Sequence, residues 1–166
     1  MGDRCSVELF ILNEQVEQFK TIVPDDEYEF GYGNEMHTCF FFYEVNYAEL
    51  GYEHDLELNG IAYTKAWEAG DSYTPGESHL RFTPEGFTEI TEFCVEFRNP
   101  DLAQLLDIIK LTADDAERGQ LLTAHILNHQ KNITPRSWEN QITYGKIYRT
   151  RLLVGAPIND EIGTMP

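Results

Sequence analysis

Carboxylates carry most of the chemical reach of this chain. Glu49, Glu53 and Glu57 recur every four residues, and Leu50, His54 and Leu58 do the same one position later. On a helix from Tyr47 to Leu58, capped by Asn46 and stopped at Asn59-Gly60, this spacing predicts leucines toward the core. The glutamates then form a row on the adjoining face. Four residues of helix rise about 6 Å, close to the separation of successive phosphates on one nucleic-acid strand. Like charges at that spacing oppose each other by a few tenths of a kcal/mol per pair, a cost that a basic partner relieves. Asp25, Asp26, Glu27, Glu29 and Glu35 can extend the same negative surface. Tyr28, Phe30 and Tyr32 alternate within that acidic, glycine-containing segment. Tyrosine beside carboxylates offers rigid apolar area and polar tips to an arginine-bearing surface.

Other residues have the types needed for chemistry but not the setting. His125 and His129 are four apart on an expected helix, so they are candidate metal ligands, yet a third ligand is required and no His-Glu-x-x-His is present. The apolar face around His125 favours a hydrogen-bonded packing histidine. His37 and Cys39 share one face of a strand, as a thiolate–imidazole pair would. Cys39 sits in the most apolar strand, however, where a buried inert thiol is expected. Serine is scarce, and no Gly-x-Ser-x-Gly elbow, phosphate loop or dinucleotide fingerprint occurs. Glu68, Asp71, Glu77 and Glu85 can supply a carboxylate pair, but a chain with 29 acids provides such pairs by chance. No resident cofactor is expected.

The elements that must position these groups follow from periodicity. Residues 5–12 read as a strand and residues 13–19 as a short helix ended before Pro24. Residues 24–33 read as an acidic loop, and Thr38 to Val45 as the strongest strand, central because both faces are apolar. Further strands are expected from Ile61 to Trp67 and from His79 to Thr83. Phe87 to Phe97 fits both periods and is assigned to strand. After Asn99-Pro100 the pattern turns helical, with Leu102, Leu105, Leu106 and Ile109 on one stripe. Thr112 is placed as the cap of a second helix, and Pro135 as the start of a third. The class is α+β: a mostly antiparallel sheet of four or five strands with two helices, then a three-helix C-terminal portion. Residues 1–99 form the acidic sheet portion, 100–154 the helical portion packed on it or appended, and 155–166 a flexible tail.

Charge is distributed unevenly. The 166 residues hold 29 acids and 12 bases, a formal net charge of −17. Residues 1–99 hold 21 acids and 5 bases, a net of −16, while residues 100–166 are close to neutral. Within the latter, Lys131, Arg136, Lys146, Arg149 and Arg151 against Glu139 make the segment 131–151 basic by +4. Such a molecule repels a free phosphate backbone and an anionic membrane surface. Three cysteines, widely spaced and odd in number, suggest reduced thiols in a cytoplasmic protein.

A compact acidic protein without a catalytic motif resembles the small inhibitors carried by phages and other mobile elements, including anti-CRISPR and anti-restriction proteins. The resemblance is one of size, charge and missing motifs. It implies a non-enzymatic, nucleic-acid-mimicking protein that docks in the basic groove of a nucleic-acid-handling partner. The expected contacts are Glu49, Glu53 and Glu57, then Asp25, Asp26, Glu27 and Glu29, with Tyr28 and Tyr32. Two other readings compete: a small hydrolase-like or metal-dependent enzyme with a carboxylate–histidine cleft, and an accessory interaction domain. A second copy, meeting the acidic portion through the basic 131–151 segment, is an alternative partner.

Overall fold

In the first strand, β1 (Arg4–Leu12), Val7, Leu9 and Ile11 are buried, whereas Ser6, Glu8 and Phe10 between them are only partly covered. Successive side chains of a strand point to opposite faces, so one face of the sheet is core and the other stays partly open. The computed structural model describes residues 3–94 and 99–155. Within them, one antiparallel sheet runs β2-β3-β1-β4-β5-β6. Its other strands are β2 (Glu29–Gly33), β3 (His37–Asn46), β4 (Tyr63–Trp67), β5 (Gly76–Phe82) and β6 (Thr88–Cys94). The helices are α1 (Val16–Phe19), α2 (Glu53–Leu58), α3 (Leu102–Leu111), α4 (Asp115–Ile133) and α5 (Gln141–Leu153).

The core forms where α1, α2 and α5 cover the sheet. Val7, Leu9, Ile11, Phe40, Phe42, Tyr63, Leu80 and Phe82 meet Phe19, Leu56 and Tyr148, a burial that supplies most of the folding drive. α5 is fixed by its first residue: buried Gln141 accepts from Phe82 N–H (2.7 Å) and donates to Phe82 C=O (3.2 Å). Further along, a Cβ on Gly145 would stand 2.2 Å from the Gly60 carbonyl oxygen, so glycine is what lets the helix approach the turn after α2. Gly145→Ala is expected to push α5 outward and cost about 2 kcal/mol in urea unfolding. Gly119, mid-helix in α4, has nothing within 4 Å of an added Cβ. There Ala is expected to stabilise by about 0.5–1 kcal/mol through helix propensity alone; equal effects at the two sites would contradict this packing.

The α+β class is as expected, with differences in the elements. The sheet gains a strand, because residues 29–33 pair with β3 instead of looping. An edge strand needs no apolar alternation, and that hides it in sequence. β3 lies one strand in from this edge. The helix expected over 47–58 exists only over Glu53–Leu58. Tyr47 and Ala48 adopt left-handed φ values of 51° and 58°, which a right-handed helix cannot contain. Thr112 ends α3, and it is Asp114 that caps α4 by accepting from Glu117 N–H (2.8 Å). The last helix begins at Gln141, after an irregular stretch and a turn that follow Pro135. α3 and α4 contain no buried residue, whereas Tyr148 of α5 sits in the core. Val95 and Phe97 of the expected strand, and the expected tail beyond Gly155, lie outside the described residues.

Candidate functional site

The open face of the sheet is built by cross-strand register. Directly paired residues point to the same face, and the pairs Glu29↔Phe41, Phe41↔Glu8, Glu8↔Ala66, Ala66↔Glu77 and Glu77↔Phe93 link all six strands. The result is one transverse row, Glu29-Phe41-Glu8-Ala66-Glu77-Phe93, with a carboxylate on every second strand. Neighbouring strands are about 4.8 Å apart, so these carboxylates stand on backbones spaced by about 10 Å. Bulges in β2 and in β3 break the register on this side of the sheet, with Glu44 of β3 left-handed at φ 57°, and bulges bend strands.

Two adjoining hollows meet at Glu8 and Ala66. The first, about 320 Å³, is lined by Ser6, Glu8, Phe41, Tyr43, Ala66, Trp67 and Glu68. The second, about 310 Å³, adds Phe10, His37, Thr64, Glu77 and Trp138. Among the described residues, no lysine or arginine lines either one. Tyr32 stands at the rim, its ring 6.0 Å from Phe10 and 6.2 Å from Phe41. Burial and the nearby Glu8 charge both raise the pKa of its hydroxyl.

Trp138 is held in the wall by Arg81. Although only 2% exposed, Arg81 has no carboxylate partner among the described residues. It donates from Nε to Arg136 C=O (3.1 Å), from Nη1 to Tyr63 C=O (2.6 Å) and Leu80 C=O (2.9 Å), and from Nη2 to Thr64 Oγ1 (2.8 Å). Its guanidinium lies 3.7 Å from the centre of the Trp138 ring, a cation–π contact from which water is excluded. Burial pulls the Arg81 pKa down to about 10, which leaves it charged at neutral pH.

The histidines of this face are held neutral. Asn34 Oδ1 accepts from Met36 and His37 N–H (2.7 and 2.8 Å), so its Nδ2 donates to His37 Nδ1 at 3.1 Å. The His37 proton therefore sits on Nε2, a buried donor without an acceptor among the described residues. Burial, and then the Arg81 charge, lower the His37 pKa. The same two causes bring His79 down to about 4, although Glu77 Oε2 lies 3.5 Å from its Nε2. Burial also raises the Cys39 thiol to about 11, which makes it a poor nucleophile.

The structure separates the expected contact residues. Glu49 is exposed in the turn before α2. Glu53 accepts from Lys65 Nζ (2.7 Å) and Leu50 N–H (3.0 Å). Burial alone would raise its pKa, but these two bonds outweigh that and hold it below the ordinary value. Glu57 accepts from the Tyr148 hydroxyl (3.0 Å). The three do not form one helical row, because two of them brace the fold and the third precedes the helix. Asp25, Asp26 and Glu27 are exposed together, followed by Glu29 in the sheet edge. Tyr28 packs its ring on Phe19, Phe40 and Phe42, and donates its hydroxyl to Asp25 (2.6 Å). Tyr32 alone of the two tyrosines reaches the open face. Among the described residues no three His, Cys, Asp or Glu side chains converge as a metal site, so His125 and His129 have no third ligand there. No helix of the described residues is long and apolar enough to cross a membrane.

The α+β class, with one antiparallel sheet open on one side, is as far as fold and site identify the chain. No family model, curated protein or solved structure matches it.

Proposed function

We propose that the protein is a non-enzymatic acidic binding protein that docks on the basic groove of a nucleic-acid-handling partner. It would block nucleic acid by competition, as an inhibitor of the anti-CRISPR or anti-restriction type. The observation that carries this reading is the open sheet face. Glu29, Glu8 and Glu77 lie in one row with aromatic and small apolar residues between them, and among the described residues no lysine or arginine lines its hollows. The exposed Asp25, Asp26 and Glu27 adjoin the β2 end of that row in sequence. Complementary charge of this kind steers association and sets specificity more than it adds affinity.

Capture from the native host should recover a nucleic-acid-binding protein at low salt. It should be lost near 0.5 M salt, where the Debye length is about 4 Å. Glu8→Lys together with Glu29→Lys should abolish capture without lowering the melting temperature. Glu49→Lys, away from the row, should leave capture in place. A captured partner with no nucleic-acid activity, or one held equally at both salts, would remove this reading.

A further inference from the structure

Glu8 sits near the middle of the sheet, on the third of six strands, with Phe41 opposite on one side and Ala66 on the other. Among the described residues it has no hydrogen-bond or ion-pair partner. A carboxylate partly withdrawn from water and left unpaired costs stability unless something compensates it. The fold does compensate other partly buried acids: Asp3 accepts from the Ser72 hydroxyl, Glu53 has Lys65, Glu57 has Tyr148, and Glu89 has Arg136 at 2.6 Å. Glu8 has no such partner there, and together with Ala66 it is shared by both hollows.

We propose that the hollow around Glu8 is an arginine-side-chain site, filled by a guanidinium carried on the basic segment of a partner. This rests on the docking reading above and adds the chemical identity of the anchor. Two features favour guanidinium over the ammonium of lysine. The walls are rings, Phe10, Phe41, Tyr43 and Trp138, on which a planar, weakly hydrated cation stacks. Glu8 is the carboxylate common to both hollows, with Glu68 in the first and Glu77 in the second, and an arginine fork can engage a carboxylate through two parallel bonds.

The fold already makes one such contact, Arg81 on Trp138, with its donors spent on carbonyl groups and a hydroxyl. With Glu29 and Glu77 about 10 Å to either side, further basic residues three apart along a polyproline-II segment, which returns to the same face every three residues and rises about 9 Å per turn, fall on the neighbouring carboxylates.

The test compares two blocked nine-residue peptides, one with arginine and one with lysine at every third position and glycine elsewhere. Binding to the intact protein is followed by calorimetry and by amide shifts in β1 and β3. The arginine peptide should bind at least about fivefold more tightly, and Glu8→Gln should weaken it about tenfold. Phe41→Leu should remove most of the difference between the peptides. Glu8→Gln is isosteric and removes an unpaired charge, so its melting temperature should not fall. Equal affinity for both peptides, or an unchanged Kd in Glu8→Gln, overturns the arginine site. If host capture remains salt-dependent in that case, the docking reading survives without it. Arginine selectivity without a captured nucleic-acid-handling partner gives the reverse outcome.

Discussion

Arg81→Ala should lower the unfolding free energy by about 3 kcal/mol, measured by urea denaturation. The estimate combines a cavity left by a long side chain with carbonyl groups that lose their donor. Three acceptors come from different segments: Tyr63 in β4, Leu80 in β5 and Arg136 before α5. The guanidinium therefore holds the 134–140 stretch against the sheet. Arg81→Met keeps most of the length and discards the bonds, so the gap between the two variants separates packing from hydrogen bonding. Replacing a buried charge by an apolar side chain of similar volume is often mild, and Met is expected to cost less than half as much as Ala. Because Arg81 covers one face of the Trp138 ring, both variants should shift indole fluorescence before unfolding begins. An Ala variant as stable as the parent would mean that the clamp contributes nothing.

Stability should also fall by roughly 3 kcal/mol as pH drops from 6.5 to about 4, with His79 as the main source. Its ordinary pKa is 6.5 and its folded value is about 4, because burial and the Arg81 charge both disfavour the proton. Within that window the unfolded chain binds a proton that the folded chain refuses. Stability is thus complete above 6.5, declines through the window at up to 1.36 kcal/mol per pH unit, and levels off below about 4. The lowered pKa of His37 acts in the same direction. Asp3, Glu53 and Glu85 also have lowered pKa values, and their contribution is lost at more acid pH, as they take up protons. His79→Asn keeps an acceptor for the Thr64 hydroxyl, which lies 3.0 Å from His79 Nδ1, and removes the titration. Its chemical-denaturation profile should be clearly shallower than the parent's from pH 6.5 to 5, keeping the His37 share alone. A parent profile no steeper than the variant's over that range would show that His79 is not held neutral by the fold.

Much of the architecture is legible from local pattern. The alternation Val7, Leu9, Ile11 marks β1, the run Phe40 to Tyr43 marks β3, and Leu102, Leu105, Leu106, Ile109 mark α3. In β1 and β3 the signal works because burial on one face imposes a period of 2.0 on the chain, whereas α3 keeps its helical period although none of its residues is buried. Such signals fail where local rules are overridden. The stretch from Tyr47 to Leu58 has a helical period, but the Tyr47 N–H bonds Asp3 C=O (2.9 Å), and Tyr47 and Ala48 turn left-handed. β2 carries two glycines and a glutamate that read as loop, and only pairing with β3 makes it a strand.

By itself the sequence determined composition-level properties: a net charge of −17 concentrated in residues 1–99, the α+β class, and the absence of familiar catalytic motifs. Charge and periodicity are additive along a chain, so they survive without coordinates. Which acids stand together was decided by tertiary structure. Glu49, Glu53 and Glu57 are close in sequence, yet the fold uses two of them internally. Glu8, Glu29 and Glu77 are far apart in sequence, yet register aligns them on one face. Strand order is set by long-range pairing, and no spacing within a single segment encodes it.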